Sequence, residues 1–119
     1  MTLNIAVTTT AKKIRPVDIP VLNDETPLFW WRNHYNLHAW MWNLYCSKKG
    51  RDRYHQVCCV RLDAADLDML EGAIRAGLIP VRQGTAYRGD VEEPADDYRF
   101  LALAREAIAQ GRFIRFTSW

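Results

Sequence analysis

The sequence predicts an α+β fold, with about three helices packed on one face of a small, largely antiparallel sheet. Three observations lead there. Apolar residues recur at helical spacing in three separate segments, and two runs rich in aromatic and β-branched residues read as strands. Their order from residue 36 onward is helix, strand, helix, loop, helix, strand, which suggests helices gathered on one face of a sheet.

Residues 1–27 are poorly patterned. They contain "LNIAV", a short candidate strand, then a Thr run, the basic cluster Lys12, Lys13 and Arg15, and Pro16, Pro20 and Pro27. Proline removes a backbone donor and restricts its neighbour, so an extended N-terminal arm is expected here rather than a helix or a central strand. Residues 28–119 are expected to form one compact domain.

The first helix is expected over about 36–48, because Leu37, Trp40, Met41, Leu44 and Tyr45 share one face and Gly50 follows as a stop. Lys48 and Lys49 then fall in the last turn, where they complement the carbonyl ends. His34, His38, Trp42 and Cys46 run along another side. "YHQVCCVRL" predicts a strand over 54–62. Asp63 reads as an N-cap with Asp66 at the third helical position, ahead of an apolar face made by Leu67, Leu70, Ala73 and Ile74. Gly77 supplies the left-handed stop and Pro80 follows. Residues 80–95 read as a long loop with a short strand at "TAYR". A last helix starts at Asp96 or Asp97, carries Phe100, Leu101, Ala104, Ala107 and Ile108 inward and stops at Gly111. "RFIRFTSW" then alternates as a strand.

Composition narrows the function. A chain of 119 residues, 49% hydrophobic and 25% charged, is ordinary for a globular domain. Its net charge of +2 is too small to imply nucleic-acid binding by itself. Cys46, Cys58 and Cys59 do not make an even disulfide framework. No signal peptide and no apolar run of membrane-spanning length is visible, so the expectation is a cytoplasmic protein with no membrane contact.

No reaction centre stands out. His34 and His38 are four apart, and Cys46, His55, Cys58 and Cys59 could add metal ligands. The paired spacing of structural zinc sites is missing, however, and adjacent strand cysteines point to opposite faces. No local signature marks an activated thiol, and burial would quiet one. The acidic residues Asp90, Glu92, Glu93, Asp96 and Asp97 fall in a loop and a helix first turn, where carboxylates favour the helix N-terminus. The glycines at 72, 77, 84 and 89 form no phosphate cradle. The expectation is therefore no catalytic residues, no cofactor and no metal. Aromatics beside basic residues, as in Trp30, Trp31 and Arg32 and then Lys48, Lys49, Arg51 and Arg53, keep nucleic-acid binding open as a second reading.

Three segments, "WWRNHYNLHAWMWNLYCSKKG", "LDAADLDMLEGAIRAGLIP" and "DDYRFLALAREAIAQGRFIRFTSW", resemble a family of small proteins from tailed bacteriophages and prophages that carries the label phosphoglycerate kinase. The resemblance runs from about Phe29 to Trp119. Its most specific positions are Trp31, Arg32, His34, Leu37, His38, Trp40 and Met41, then Asp66, Leu67, Leu70, Glu71, Ile74, Gly77 and Pro80, then "AREA" at 104–107 with Ser118 and Trp119. The kinase label does not transfer, because true phosphoglycerate kinases are two-domain enzymes several times longer and the nucleotide machinery is missing. What the resemblance implies is a phage accessory protein in the host bacterial cytoplasm.

Three readings follow. The first is a non-enzymatic protein that binds a host protein or ribonucleoprotein complex, for instance an inhibitor of host defence such as an anti-CRISPR. The second is a nucleic-acid-binding module. The third is a small metal-binding or Cys/His-dependent protein. Candidate contact residues are Trp30, Arg32, His34, His38 and Trp42, with Lys48, Lys49 and Arg51 as a basic surface and Asp90, Glu92 and Glu93 as an acidic one; a homodimer is compatible with the same surfaces. Trp40 is expected in the core, whereas Trp42 is left over from that face: a functional surface if exposed, part of the structure if covered.

Overall fold

A computed structural model describes residues 2–52, 57–82, 91–92 and 95–119. Among them the chain forms β1 (Asn4–Thr10), β2 (Thr26–Arg32), α1 (Tyr35–Ser47), β3 (Cys58–Leu62), α2 (Ala64–Arg75), β4 (Val81–Arg82), β5 (Val91–Glu92), α3 (Ala95–Ala109) and β6 (Phe113–Ser118). Four strands make one sheet in the order β2-β1-β6-β3, and every neighbouring pair is antiparallel. The fold is α+β, as the sequence predicts.

The strand period divides the sheet into two faces. Ile5 and Val7 of β1, Trp31 of β2, Cys58, Val60 and Leu62 of β3, and Ile114 and Phe116 of β6 share the first face. They form a single buried cluster with Leu37, Met41, Leu44 and Tyr45 of α1, Leu67, Leu70 and Ile74 of α2, and Phe100, Leu101 and Ala104 of α3. All three helices therefore cover this one face. The second face carries a smaller cluster of Ile14, Ile19 and Cys59, with Leu22 and Phe113 packed against it.

The expected N-terminal arm is corrected for its first third. β1 lies inside the sheet, paired to β2 on one side and β6 on the other. The prolines do not prevent this, because Pro16 and Pro20 come after the strand and Pro27 lies on the edge strand β2. Residues 11–25 do run without helix or ladder, but they are tied down. Arg61 donates to the Ile14 carbonyl at 2.7 Å, Arg115 donates to the Ile19 carbonyl at 3.2 Å, and the Arg115 guanidinium pairs with Glu25 at 3.2 Å. Val17 also forms a bridge to Val60, which caps the outer edge of β3.

Helix α2 behaves as its sequence predicts. Asp63 caps it, the Asp66 carboxylate accepts from the Asp63 N–H at 2.8 Å, and Gly77 closes it at φ +74. Gly111 does the same after α3 at φ +80. The end of α1 is different. The left-handed residue there is Lys49, at φ +68, not Gly50. Gly50 is needed because its α-carbon lies against the Tyr45 ring, and a Cβ there would overlap the ring carbons. Lys48 is the C-cap rather than a last-turn residue. The predicted strand over 54–62 is present as Cys58–Leu62, its first part falling outside the described residues. "TAYR" also falls outside them, and the ladder of β4 with β5 was not expected. Trp40 and Trp42 are both partly buried against the main core, so Trp42 is covered structure and Trp40 is not fully enclosed.

Tyr45 joins α1 to the 11–25 segment. Its hydroxyl donates to the Asp18 carboxylate and accepts from the Asp52 N–H at 2.7 Å. Burial, then the adjacent Asp18 carboxylate, push its pKa up to about 12. A phenol raised above its ordinary value of about 10 favours folding below that pH, and this contribution is lost as pH rises through 12. In Tyr45→Phe the steepest loss of stability between pH 10 and 12 should therefore flatten, as followed by thermal melts. Gly50→Ala should cost about 1–3 kcal/mol through overpacking. Gly72→Ala, in the middle of α2 with nothing within 4 Å of the new methyl group, should stabilise by about 0.5–1 kcal/mol. Urea titration reads both.

Candidate interaction surface

The 11–25 segment covers only the β6 and β3 half of the second face. Over the other half, Asn4, Ala6 and Thr8 of β1 lie between Leu28, Trp30 and Arg32 of β2 and Trp119 beyond β6. These residues line an open groove of about 550 Å³. Trp30 is 64% exposed and Trp119 is 52% exposed. Two tryptophans left in water at the rim of an apolar groove are unusual for a surface that serves no contact.

The groove opens onto an unpaired strand edge. Asn4 and Trp119 exchange both backbone hydrogen bonds, at 2.8 and 2.9 Å, while the Leu3 carbonyl accepts from Asn33 at 2.8 Å. Backbone groups alternate sides along an antiparallel strand, so the even residues of β1 face β6 and the odd ones face β2. In β2, opposite Ile5 and Val7, Trp31 and Phe29 therefore turn their N–H and C=O toward β1, and Trp30 and Arg32 turn theirs outward. Among the described residues no strand pairs with that outer edge.

The arginine of the groove has no carboxylate partner among the described residues. The Arg32 guanidinium sits 5.8 Å from the centroid of the Trp30 ring, its charge directed over an aromatic face. On the helix side of the same strand, the Arg99 guanidinium lies 5.1 Å from the Phe29 centroid. Its only ion pair among the described residues is a long one to Asp96 at 4.0 Å, with both side chains about 70% exposed.

The remaining candidate residues separate into tied and free. His34 is 4% exposed and belongs to the structure, not to the surface. Its Nδ1 accepts from the Leu37 N–H at 3.4 Å, capping α1, so the ring hydrogen sits on Nε2 and is donated to Asp97 at 3.0 Å. The other oxygen of Asp97 accepts from the Trp31 indole at 3.0 Å. One buried carboxylate thus joins β2, the start of α1 and the start of α3. His38 is half-buried, with Nδ1 2.7 Å from the buried Ser118 hydroxyl, and Trp42 packs its ring 5.1 Å from Tyr45. Lys48 is also withdrawn from the proposed basic surface, since its Nζ is spent on Asp66 and on the Arg61 carbonyl at 2.6 Å. Lys49 and Arg51 are exposed. Asp90 and Glu93 lie outside the described residues, and Glu92 ends β5.

Among the described residues no three His, Cys, Asp or Glu side chains converge as metal ligands. Cys46 is exposed, and Cys58 and Cys59 are buried on opposite faces of β3. Burial drives the Cys58 thiol up to about 12, against the Ser118 hydroxyl, which lowers it. No described helix is long and apolar enough to cross a membrane.

Reading by sequence found Trp30 and Arg32 but missed Ala6, Leu28 and Trp119. Alternation at both chain ends was the available signal. Treating residues 1–27 as an arm hid the pairing that brings them together. The chain matches no family profile, no curated protein and no solved structure.

In the native protein one thiol, Cys46, should react promptly with a thiol reagent at pH 8, and all three should react in denaturant. Mass mapping of the labelled cysteines reads this, and fast labelling of Cys58 would contradict its burial.

Proposed function

We propose that this chain is a non-enzymatic binding protein that engages a macromolecular partner through the groove between Trp30 and Trp119. The observation that carries the reading is two exposed tryptophans flanking an apolar groove beside an open strand edge. Binding interfaces concentrate their energy in Trp, Tyr and Arg, and three of those side chains, Trp30, Trp119 and Arg32, lie together here. The resemblance to phage accessory proteins supplies the biological setting. In that setting the partner is a host protein or ribonucleoprotein complex, and inhibition of a host defence such as CRISPR interference is the specific form of the proposal.

Affinity capture from a bacterial host lysate, with and without nuclease, tests it, together with phage plating on defended hosts. A stoichiometric, nuclease-resistant complex should be retained by the native chain and lost from Trp30→Ala and Trp119→Ala. Removing exposed side chains should change stability by only about 0.5 kcal/mol or less. Capture that is abolished by nuclease would replace the reading with nucleic-acid binding, and a complex indifferent to both variants would place the contact elsewhere.

A further inference from the structure

An edge strand whose outward backbone groups are unpaired is a template for another strand, and proteins normally blunt such edges with charge, proline or a covering loop. The two edges of this sheet are treated differently. The outer edge of β3 is capped from within the chain, where the Asp18 N–H donates to the Cys59 carbonyl at 3.0 Å and the Arg61 N–H donates to the Pro16 carbonyl at 2.8 Å. The outer edge of β2 has no such cap among the described residues. Pro27 interrupts only its beginning. Toward its end, Trp30 and Arg32 direct backbone groups outward while their side chains stand on the groove side.

Charge says what kind of strand fits there. Arg32 and Arg99 approach β2 from opposite faces, each stacked on an aromatic ring of that strand, Trp30 and Phe29. The carboxylates at the other end are already engaged. Glu25 is held by Arg115 and accepts from Thr8 at 2.8 Å and Leu22 at 3.0 Å, and Asp24 accepts from Thr10 at 2.7 Å. Among the described residues, then, Arg32 has no carboxylate partner and Arg99 has the long contact to Asp96, and both side chains are exposed.

Resting on the binding-protein reading above, we infer that the partner is an extended, acidic peptide segment that adds to β2 as a fifth strand. Its backbone continues the ladder at Trp30 and Arg32. One side of its alternating side chains enters the groove between Trp30 and Trp119, and its carboxylates meet Arg32 on that face and Arg99 on the other. Main-chain hydrogen bonds supply affinity in strand addition, and alternate side chains supply selectivity.

The test is selection of a phage-displayed random nine-residue peptide library on the full chain, followed by resynthesis of the enriched peptides. Acidic residues at alternate positions beside aliphatic or aromatic ones are expected. N-methylation of every second peptide nitrogen should abolish binding in one phase, at least about 100-fold, and spare it in the other, because only one set of amides faces β2. Charge reversal in Arg32→Glu with Arg99→Glu should weaken the acidic peptides at least tenfold. Circular dichroism of that variant checks folding, and lysine-containing versions of the same peptides should then bind better than the originals.

Equal tolerance of both N-methylation phases would overturn strand addition. Enrichment of neutral or basic peptides would overturn the charge assignment. A chain that sediments as a dimer blocked at β2 would give the edge to a second copy, and Trp30 fluorescence quenched by a twelve-residue oligothymidine but by no peptide would give it to nucleic acid. Absence of any enriched peptide would overturn the inference while capture from lysate still decides whether the chain is a binding protein at all.

Discussion

Strand β1 is hydrogen-bonded on both sides, to β2 and to β6, and the rest of the sheet depends on that position. Without it, the first residues of the chain would leave β6 with an open edge and β2 with nothing to pair against. Its odd residues, Ile5 and Val7, go into the main core, and its even ones, Asn4, Ala6 and Thr8, form the floor of the groove. A single seven-residue strand thus contributes to stability on one face and to the candidate surface on the other.

Coverage of the second face is uneven for a traceable reason. The arginines that hold the 11–25 segment, Arg61 and Arg115, project from β3 and β6, and they hold it through backbone carbonyls and Glu25. Carbonyls turned toward arginines are satisfied without a ladder, so an irregular segment can lie on the sheet at low cost. β1 and β2 place no arginine inward over their half except Arg32, which points its charge along Trp30 instead. That half stays open.

Two polar ties keep the helices in register with the sheet. Asp97 holds Trp31 and His34, and Lys48 holds the capping carboxylate Asp66. Both use residues that look functional in a linear reading: a histidine near tryptophans and a lysine in a basic cluster. Their burial converts them into structural members, since a buried polar group without a partner is costly and with one it specifies where its elements meet. Arg32, Arg99, Lys49 and Arg51 take no part in these ties and are exposed.

Local sequence determined most of the elements. The capping box of Asp63 and Asp66, the glycines at 77 and 111 and the alternation of 113–118 are short-range signals, and each element formed where its signal lies. The role of Gly50 was not legible, because the ring that forbids a side chain there belongs to Tyr45, five residues away and brought back by the helix end. The separation of candidate residues into buried and exposed was equally hidden. His34 and Trp30 are four residues apart and similar in character, yet one caps a helix against Asp97 and the other stands 64% in water. The register of β1 with β2, which sets Trp30 opposite Ala6, and the tie of His34 to Asp97 of α3 decided this. The pairing of β1 with β6 likewise joins segments far apart in the chain; alternation marks each as a strand but does not say which strand it pairs with, so the groove and its free edge belong to the tertiary structure alone.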